Sequence, residues 1–301
     1  MEFQRAFADE RACTEYLFSS RWPDGFVCPG CGGRRAWQVA RRRVVWECAA
    51  CHRQTSVTAG TVLHRTHKPL HLWFWAAYLV ATGTPGISAL QLQRQLGLSR
   101  YETAWMILHK LRRAMVNPDR EPLTGAIEVD EAFLGGVAEG RRGRQHGVKP
   151  LVVIAVEVRG AGCGRVRMKL IDDASAETLC GFVTLVAASG SIVHTDGWQG
   201  YKRLSRLGYD HHPRSQLQHL RDGGDPDDVL PRVHRVISNL KTWLQGTHHG
   251  VSSEQLQVYL DEFTFRFNRR RTPMAAFQTL LGLGSTQPPT TYRQITPTTA
   301  T

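Results

Sequence analysis

Cys28, Cys31, Cys48 and Cys51 form two Cys-x-x-Cys pairs separated by sixteen residues, and nothing else in this 301-residue chain restricts its fold as tightly. Each pair turns a knuckle that aims two sulfurs at one point, and two knuckles complete a tetrahedron of zinc ligands. Pro29, Gly30, Gly32 and Gly33 supply turn residues around the first pair, and residues 41–47 (RRRVVWE) read as a strand between the two. Four thiolates leave no position for water, so Zn2+ here is expected to build a ribbon rather than do chemistry. The competing reading, two disulfides in a secreted domain, is disfavoured because Met1 to Glu10 is mixed and acidic, without an apolar leader. No apolar run approaches the ~18 residues of a spanning helix, so a cytoplasmic location is expected. His52 reads as a surface residue beside the ribbon, and Cys13, Cys163 and Cys180 as isolated, packed thiols.

The formal charge of +12 is concentrated in the same half of the chain. Residues 1–120 hold 17 Lys/Arg against 8 Asp/Glu, a net +9, whereas residues 121–301 hold 21 against 18, a net +3. A localised basic excess suits a polyanion. Within that half, residues 5–22 have helical periodicity and residues 70–82 (LHLWFWAAYLVAT) read as a strongly apolar helix. Residues 88–96 and 99–115 read as two further helices around Gly97, with Ser88 and Ser99 as caps, which resembles a helix-turn-helix. A plain helical hairpin has the same pattern; the basic setting and the adjacent ribbon favour DNA binding.

After the prolines of residues 117–123 the texture changes. Residues 126–134, 151–158 and 165–171 read as strands, 174–188 as a helix and 191–195 as a short strand. Strand, strand, strand, helix, strand is the order that opens an RNase H-like domain. Asp130 lies mid-strand, on the same face as Glu128 and opposite Glu131 by alternation. Asp196 ends the later strand. Carboxylates so placed are costly without a partner, and magnesium takes oxygen ligands from one or two carboxylates plus substrate phosphate. Two such ions serve in-line phosphoryl displacement. A third member is sought on the helix beginning near Leu230: His234 and Lys241 are seven residues apart, close to two turns, and share a face with Ile237 and Ser238, whereas Asn239 points elsewhere. Glu254, Asp261 and Glu262 are the alternative third acids.

These motifs together resemble the zinc-ribbon insertion-sequence transposases related to the Merlin group of eukaryotic transposons. The matching stretches are the cysteine pairs, Glu128-Val-Asp-Glu with Gly135-Gly136, His194-Thr-Asp-Gly-Trp with Tyr201, His234 through Leu244, Gly246 to Gly250, and Phe265 to Arg270. The resemblance implies a DDE-type enzyme that binds terminal inverted repeats, cleaves phosphodiesters with Mg2+ or Mn2+ and transfers the strand to target DNA. Asp130 and Asp196 would hold metal, His234 would replace the usual Glu by binding metal or moving protons, and Lys241 would contact phosphate. Arg34, Arg35, Arg41, Arg42, Arg43, Arg94 and Arg100 would contact DNA. Trp198 and Tyr201 would pack or stack on a base. The expected architecture is α+β and multidomain: zinc ribbon with an N-terminal helix (1–60), helix-turn-helix-like region (61–118), RNase H-like catalytic domain (122–283) and disordered tail (284–301). A nucleoid-associated homodimer or higher oligomer on DNA is implied. An RNase H-like nuclease without strand transfer and an inactive DNA-binding protein are the rival readings.

Overall fold

The computed structural model describes residues 2–40, 44–135, 149–225 and 228–296. The chain divides into two compact units, residues 1–117 with 271–301, and residues 118–270.

The first unit opens with α1 (Glu2–Ala6) and α2 (Glu10–Arg21). The Asp9 carboxylate accepts the Ala12 N–H at 2.8 Å and starts α2 afresh, so the stretch expected as one helix is two. The ribbon is an antiparallel sheet of β1 (Ala36–Gln38), β2 (Val45–Cys48) and β3 (Gln54–Ser56). The strand expected over 41–47 is seen as β2; Arg41, Arg42 and Arg43 lie outside the described residues. Next, α3 (Leu70–Thr82) has the bounds its apolar run implies, with Trp73, Phe74, Ala76, Ala77 and Val80 buried. The helical pair is α4 (Ala89–Gln95) and α5 (Tyr101–Ala114). Ser88 caps α4 by accepting the Gln91 N–H at 3.2 Å, and Gly97 turns the chain at φ +60°. The expected Ser99 cap is not observed: α5 starts one residue later, at an Arg100 N-cap whose side chain makes no capping bond.

The second unit is a five-stranded sheet in the order β6-β5-β4-β7-β8. Three antiparallel strands, β4 (Ala126–Phe133), β5 (Leu151–Arg159) and β6 (Gly162–Ile171), precede α6 (Ala176–Val186), and β7 (Ile192–Thr195) then returns parallel to β4. The last strand, β8 (Asp210–Pro213), lies parallel to β7. This is the strand and helix order expected of an RNase H-like core. Alternation divides the sheet residues between two clusters. Ile127, Val129, Val153 and Val193 pack with Leu179, Phe182 and Val183 of α6. After the short α7 (Gln216–Arg221) come α8 (Pro231–His248) and α9 (Ser253–Asn268). Val233, Val236, Leu240, Leu256 and Leu260 of these helices cover Val152, Ile154 and Val156 on the other face. β5 is buried on both faces, which is why it reads as an unbroken apolar run. Side chains of α9 satisfy the outer edge of β6: Asn268 Oδ1 accepts the Val166 N–H at 2.7 Å and Gln257 Oε1 the Leu170 N–H at 2.9 Å.

The chain then returns to the first unit as α10 (Pro273–Thr286) and α11 (Tyr292–Ile295). Phe277 of α10 packs edge-on to Phe3 at 5.3 Å and to Phe7 at 5.6 Å. Residues 271–283 therefore fall outside the compact unit that carries the sheet, although the sequence pattern assigns them to it. Residues 284–296 form ordered structure where a disordered tail is expected. Ile295 is buried and Thr291 and Gln294 make a reciprocal capping box. Among the described residues no helix is long and apolar enough to cross a membrane.

Candidate active site and metal centre

Two centres emerge, one in each unit. In the ribbon the four cysteines are free, and their Sγ atoms all lie within 4.8 Å of one another. Cys28 and Cys51 approach to 3.6 Å, as do Cys31 and Cys48. Sulfurs about 2.3 Å from a central ion form a tetrahedron with edges of about 3.8 Å, so the spacing fits one thiolate-held metal. Backbone N–H groups of the knuckles favour thiolates: those of Cys31 and Gly30 bring Cys28 down to about 6, and those of Cys51 and Ala50 lower Cys48. Cys31 moves the other way, to about 12: the Gly33 N–H favours its thiolate, but the sulfurs of Cys51 and Cys48 outweigh it. Packed sulfurs of this kind need a cation to ionise together. A Cβ on Gly33 would meet Cys48 Sγ at 3.1 Å and Cys31 Sγ at 3.3 Å, tighter than ordinary contact, so a side chain here would press on the sulfurs. His52 is exposed, 3.4 Å from Glu47, and is no part of the cluster.

In the second unit, the parallel pairing of β4 with β7 carries the two aspartates to the same end of the sheet. β4 pairs with β7 as Ala126↔Ile192, Ile127↔Val193 and Glu128↔His194. Two residues further along lie Asp130 and, just past the end of β7, Asp196; the same register carried on would set them level on one pleat, about 4.8 Å apart. α8 adds His234, whose Nε2 lies 3.3 Å from Asp130 Oδ2; the two side chains are only 21% and 14% exposed. The other Asp130 oxygen accepts the Glu131 N–H at 2.9 Å. Asp196 Oδ1 accepts the Trp198 N–H at 2.9 Å across Gly197, a turn at φ +85° that favours glycine. On the opposite pleat Glu131 accepts the hydroxyl of the fully buried Tyr201 at 2.9 Å. Burial, then the charges of Glu131, Asp130 and Asp196, push that phenol well above its ordinary range. Asp130 and Asp196 lie on the α8 face, where a divalent cation would relieve their repulsion, while Glu131 on the other face is engaged by Tyr201. Ligand atoms of Asp130, Asp196 and His234 are not gathered within 4.8 Å as the cysteines are. Magnesium does not require such a cage, because water and phosphate fill its other positions.

Glu128 was legible as a same-face neighbour of Asp130, but its role was not. Its carboxylate is 1% exposed and accepts the N–H groups of Arg232 and Val233 at 2.7 and 2.9 Å, and Arg232 Nη1 at 3.1 Å. The first turn of α8 has Pro231 at its start and no side-chain cap of its own. Glu128 serves as that cap from 104 residues away, satisfying orphan N–H groups at the positive end of the helix dipole. The strand that carries Asp130 is thereby tied to the helix that carries His234. The only sequence signal was an acid flanking Asp130 at strand spacing.

The remaining expected residues are placed as follows. Ser238, Asn239 and Lys241 are exposed on α8, while Ile237 faces the core. Asp261 and the fully buried Glu262 lie on α9, which packs against β6, two strands from β4; Glu262 pairs with Arg266 at 3.5 Å. These acids are not brought to Asp130. Trp198 donates its indole N–H to the Ala174 carbonyl at 3.0 Å, so it and Tyr201 pack. Arg34, Arg35, Arg94 and Arg100 are exposed in the first unit.

Comparison with known families bears on both centres. Residues 122–268 match the ISXO2-like transposase domain, and residues 8–54 match the transposase zinc-ribbon domain. A transposase built on a zinc ribbon and an α/β sheet is the class so defined. The chain belongs to the zinc-ribbon insertion-sequence transposases and acts on DNA. Comparison with curated proteins finds no match. Among solved structures, a simian T-cell lymphotropic virus intasome with the PP2A regulatory subunit B56 gamma overlaps at 12% identity, covering 57% of this chain and 67% of that one, with a TM-score of 0.30. The Mos1 strand transfer complex overlaps at 11% identity, covering 70% and 78%, with a TM-score of 0.28. Overlaps this partial add nothing to the assignment, which rests on the family matches.

Proposed function

We propose that Asp130, Asp196 and His234 form the catalytic centre of a divalent-metal-dependent, DDE-type polynucleotidyl transferase with His in third place. The observation that carries this is the parallel pairing of β4 with β7, in register at Glu128↔His194 two residues before each aspartate, together with His234 Nε2 at 3.3 Å from Asp130. Bound Mg2+ or Mn2+ would supply Lewis-acid activation of the attacking oxygen and charge relief at the leaving oxygen. Asp130 and Asp196 would present oxygens to it, and His234 Nε2 would add a nitrogen ligand or take the proton of the attacking hydroxyl. Lys241, exposed two turns along α8, would meet a phosphate further from the reacting bond. The reaction is hydrolysis at the terminal inverted repeats, followed by attack of the new 3′ hydroxyl on target DNA. The ribbon, holding Zn2+, and the α4–α5 pair would bind those repeats, with Arg34, Arg35, Arg94 and Arg100 on phosphates. Joining two ends implies at least a dimer.

Metal-dependent cleavage of a duplex carrying the element's end tests the assignment. Asp130→Asn and Asp196→Asn abolish cleavage and leave end binding nearly intact; cleavage near the wild-type rate in either overturns it. His234→Ala loses most cleavage. His234→Glu retains measurable activity, because Glu restores an oxygen ligand on the same helix face. A strand-transfer assay separates the transposase from a nuclease that only cuts.

A further inference from the structure

We propose that Arg214 is a phosphate-binding residue of this same centre, anchoring the backbone of the DNA strand that enters over the carboxyl ends of β7 and β8. The inference rests on the reading of Asp130 and Asp196 as the reacting pair. The register that aligns those two continues to β8, where His194 pairs with His212 and Thr195 with Pro213. One step beyond, the Arg214 N–H donates to the Thr195 carbonyl at 2.8 Å, extending the ladder past the last strand residue. Carried on in that register, Asp130, Asp196 and Arg214 fall at one level, the last two just past the ends of β7 and β8, with neighbouring segments spaced by about 4.8 Å. The two segments remain side by side past the strand ends. A Cβ on Gly197 would lie 3.7 Å from Ser215 Cα and 3.9 Å from the Arg214 carbonyl carbon. In open α/β sheets this end of the parallel strands is where ligands sit.

Charge gives the position its meaning. Asp130 and Asp196 place negative charge on this face that repels an incoming phosphodiester, so the DNA backbone needs a cation beside them. Among the described residues the Arg214 guanidinium makes no ion pair and no side-chain hydrogen bond, and it is exposed. Its neighbour His212, exposed as well, is engaged by Asp210 at 2.9 Å. A guanidinium fork matches two phosphate oxygens and stays charged at any working pH.

The test is the salt dependence of binding by the full chain to a duplex carrying the element's terminal sequence, without divalent metal. Each phosphate contact contributes about 0.9 to the log–log slope. Arg214→Gln therefore flattens the slope by about 0.9, so raising salt from about 50 to 200 mM weakens it roughly 3.5-fold less than wild type. Arg214→Lys keeps the slope. Arg206→Gln removes the same charge from the turn before β8, at the other end of that strand, and leaves the slope unchanged. An unaltered slope in Arg214→Gln, or equal flattening in Arg206→Gln, overturns the proposal while the transposase reading stands. Wild type that binds this duplex without salt dependence overturns both.

Discussion

Removing the Glu128 carboxylate should unfasten α8 from the sheet. The group is 1% exposed and receives two backbone N–H groups and one guanidinium nitrogen. Hydrogen bonds to a charged group contribute about 1.5–3 kcal/mol each, but these three share one carboxylate and do not add. Truncation also leaves Arg232, only 23% exposed, without its acid. Breaking a buried pair by removing one partner costs about 3–5 kcal/mol, which sets the expectation for Glu128→Ala. Glu128→Gln should cost less, about 1–2 kcal/mol, because both backbone N–H groups go to a single oxygen that an amide can still supply. Only the amide NH2 then faces the Arg232 donor. Amide hydrogen exchange at Arg232, Val233 and His234 reads the effect locally, where a 3 kcal/mol loss speeds exchange by roughly two decades. Cleavage should fall with it, since His234 loses its fixed distance from Asp130. An Ala variant destabilised by less than about 1 kcal/mol, or a Gln variant as damaged as Ala, would refute the reasoning.

Glu157 ties β5 to β6: burial disfavours its carboxylate, but Arg165 and the Thr124 and Arg165 N–H groups outweigh that and hold it at about 2, against 4.5 unperturbed. Its contribution, about 3 kcal/mol, is present above pH 4.5 and lost as pH falls towards 2, and acid unfolding monitored with Glu157→Gln, which lacks that slope, checks it. Asp261 behaves oppositely, since burial raises it to about 6 from 3.8. Asp261→Asn should therefore stabilise the protein by about 1–3 kcal/mol at pH 8 and not below pH 4, a difference that urea melts at the two pH values would show. Chelation should unfold the ribbon and release one Zn2+ per chain, because thiolate binding and folding are coupled; a ribbon that keeps its amide protection without metal contradicts this.

Sequence alone determined the features that local chemistry dictates. The knuckles follow from cysteine spacing, α3 from an apolar run with its ends marked, and β4 to β7 from β-rich runs between turns. Asp130 and Asp196 stood out because an acid inside or ending a buried strand is costly without a partner. Tertiary structure decided what depends on pairing distant segments. Bringing the aspartates to one end of the sheet needs β7 to return beside β4 in one particular register, and a slip of one residue would turn Asp196 to the other face. Glu128 reads as any strand acid until α8 arrives from 104 residues away and leaves its first turn to be capped. Asn268 reads as a helix end until the open edge of β6 lies beside it. Likewise α10 has an apolar pattern that any core would accept, and only the aromatic surface of Phe3 and Phe7 decides where it packs. Hydrophobic burial is non-directional, so a sequence can show that a face must be buried without showing against what.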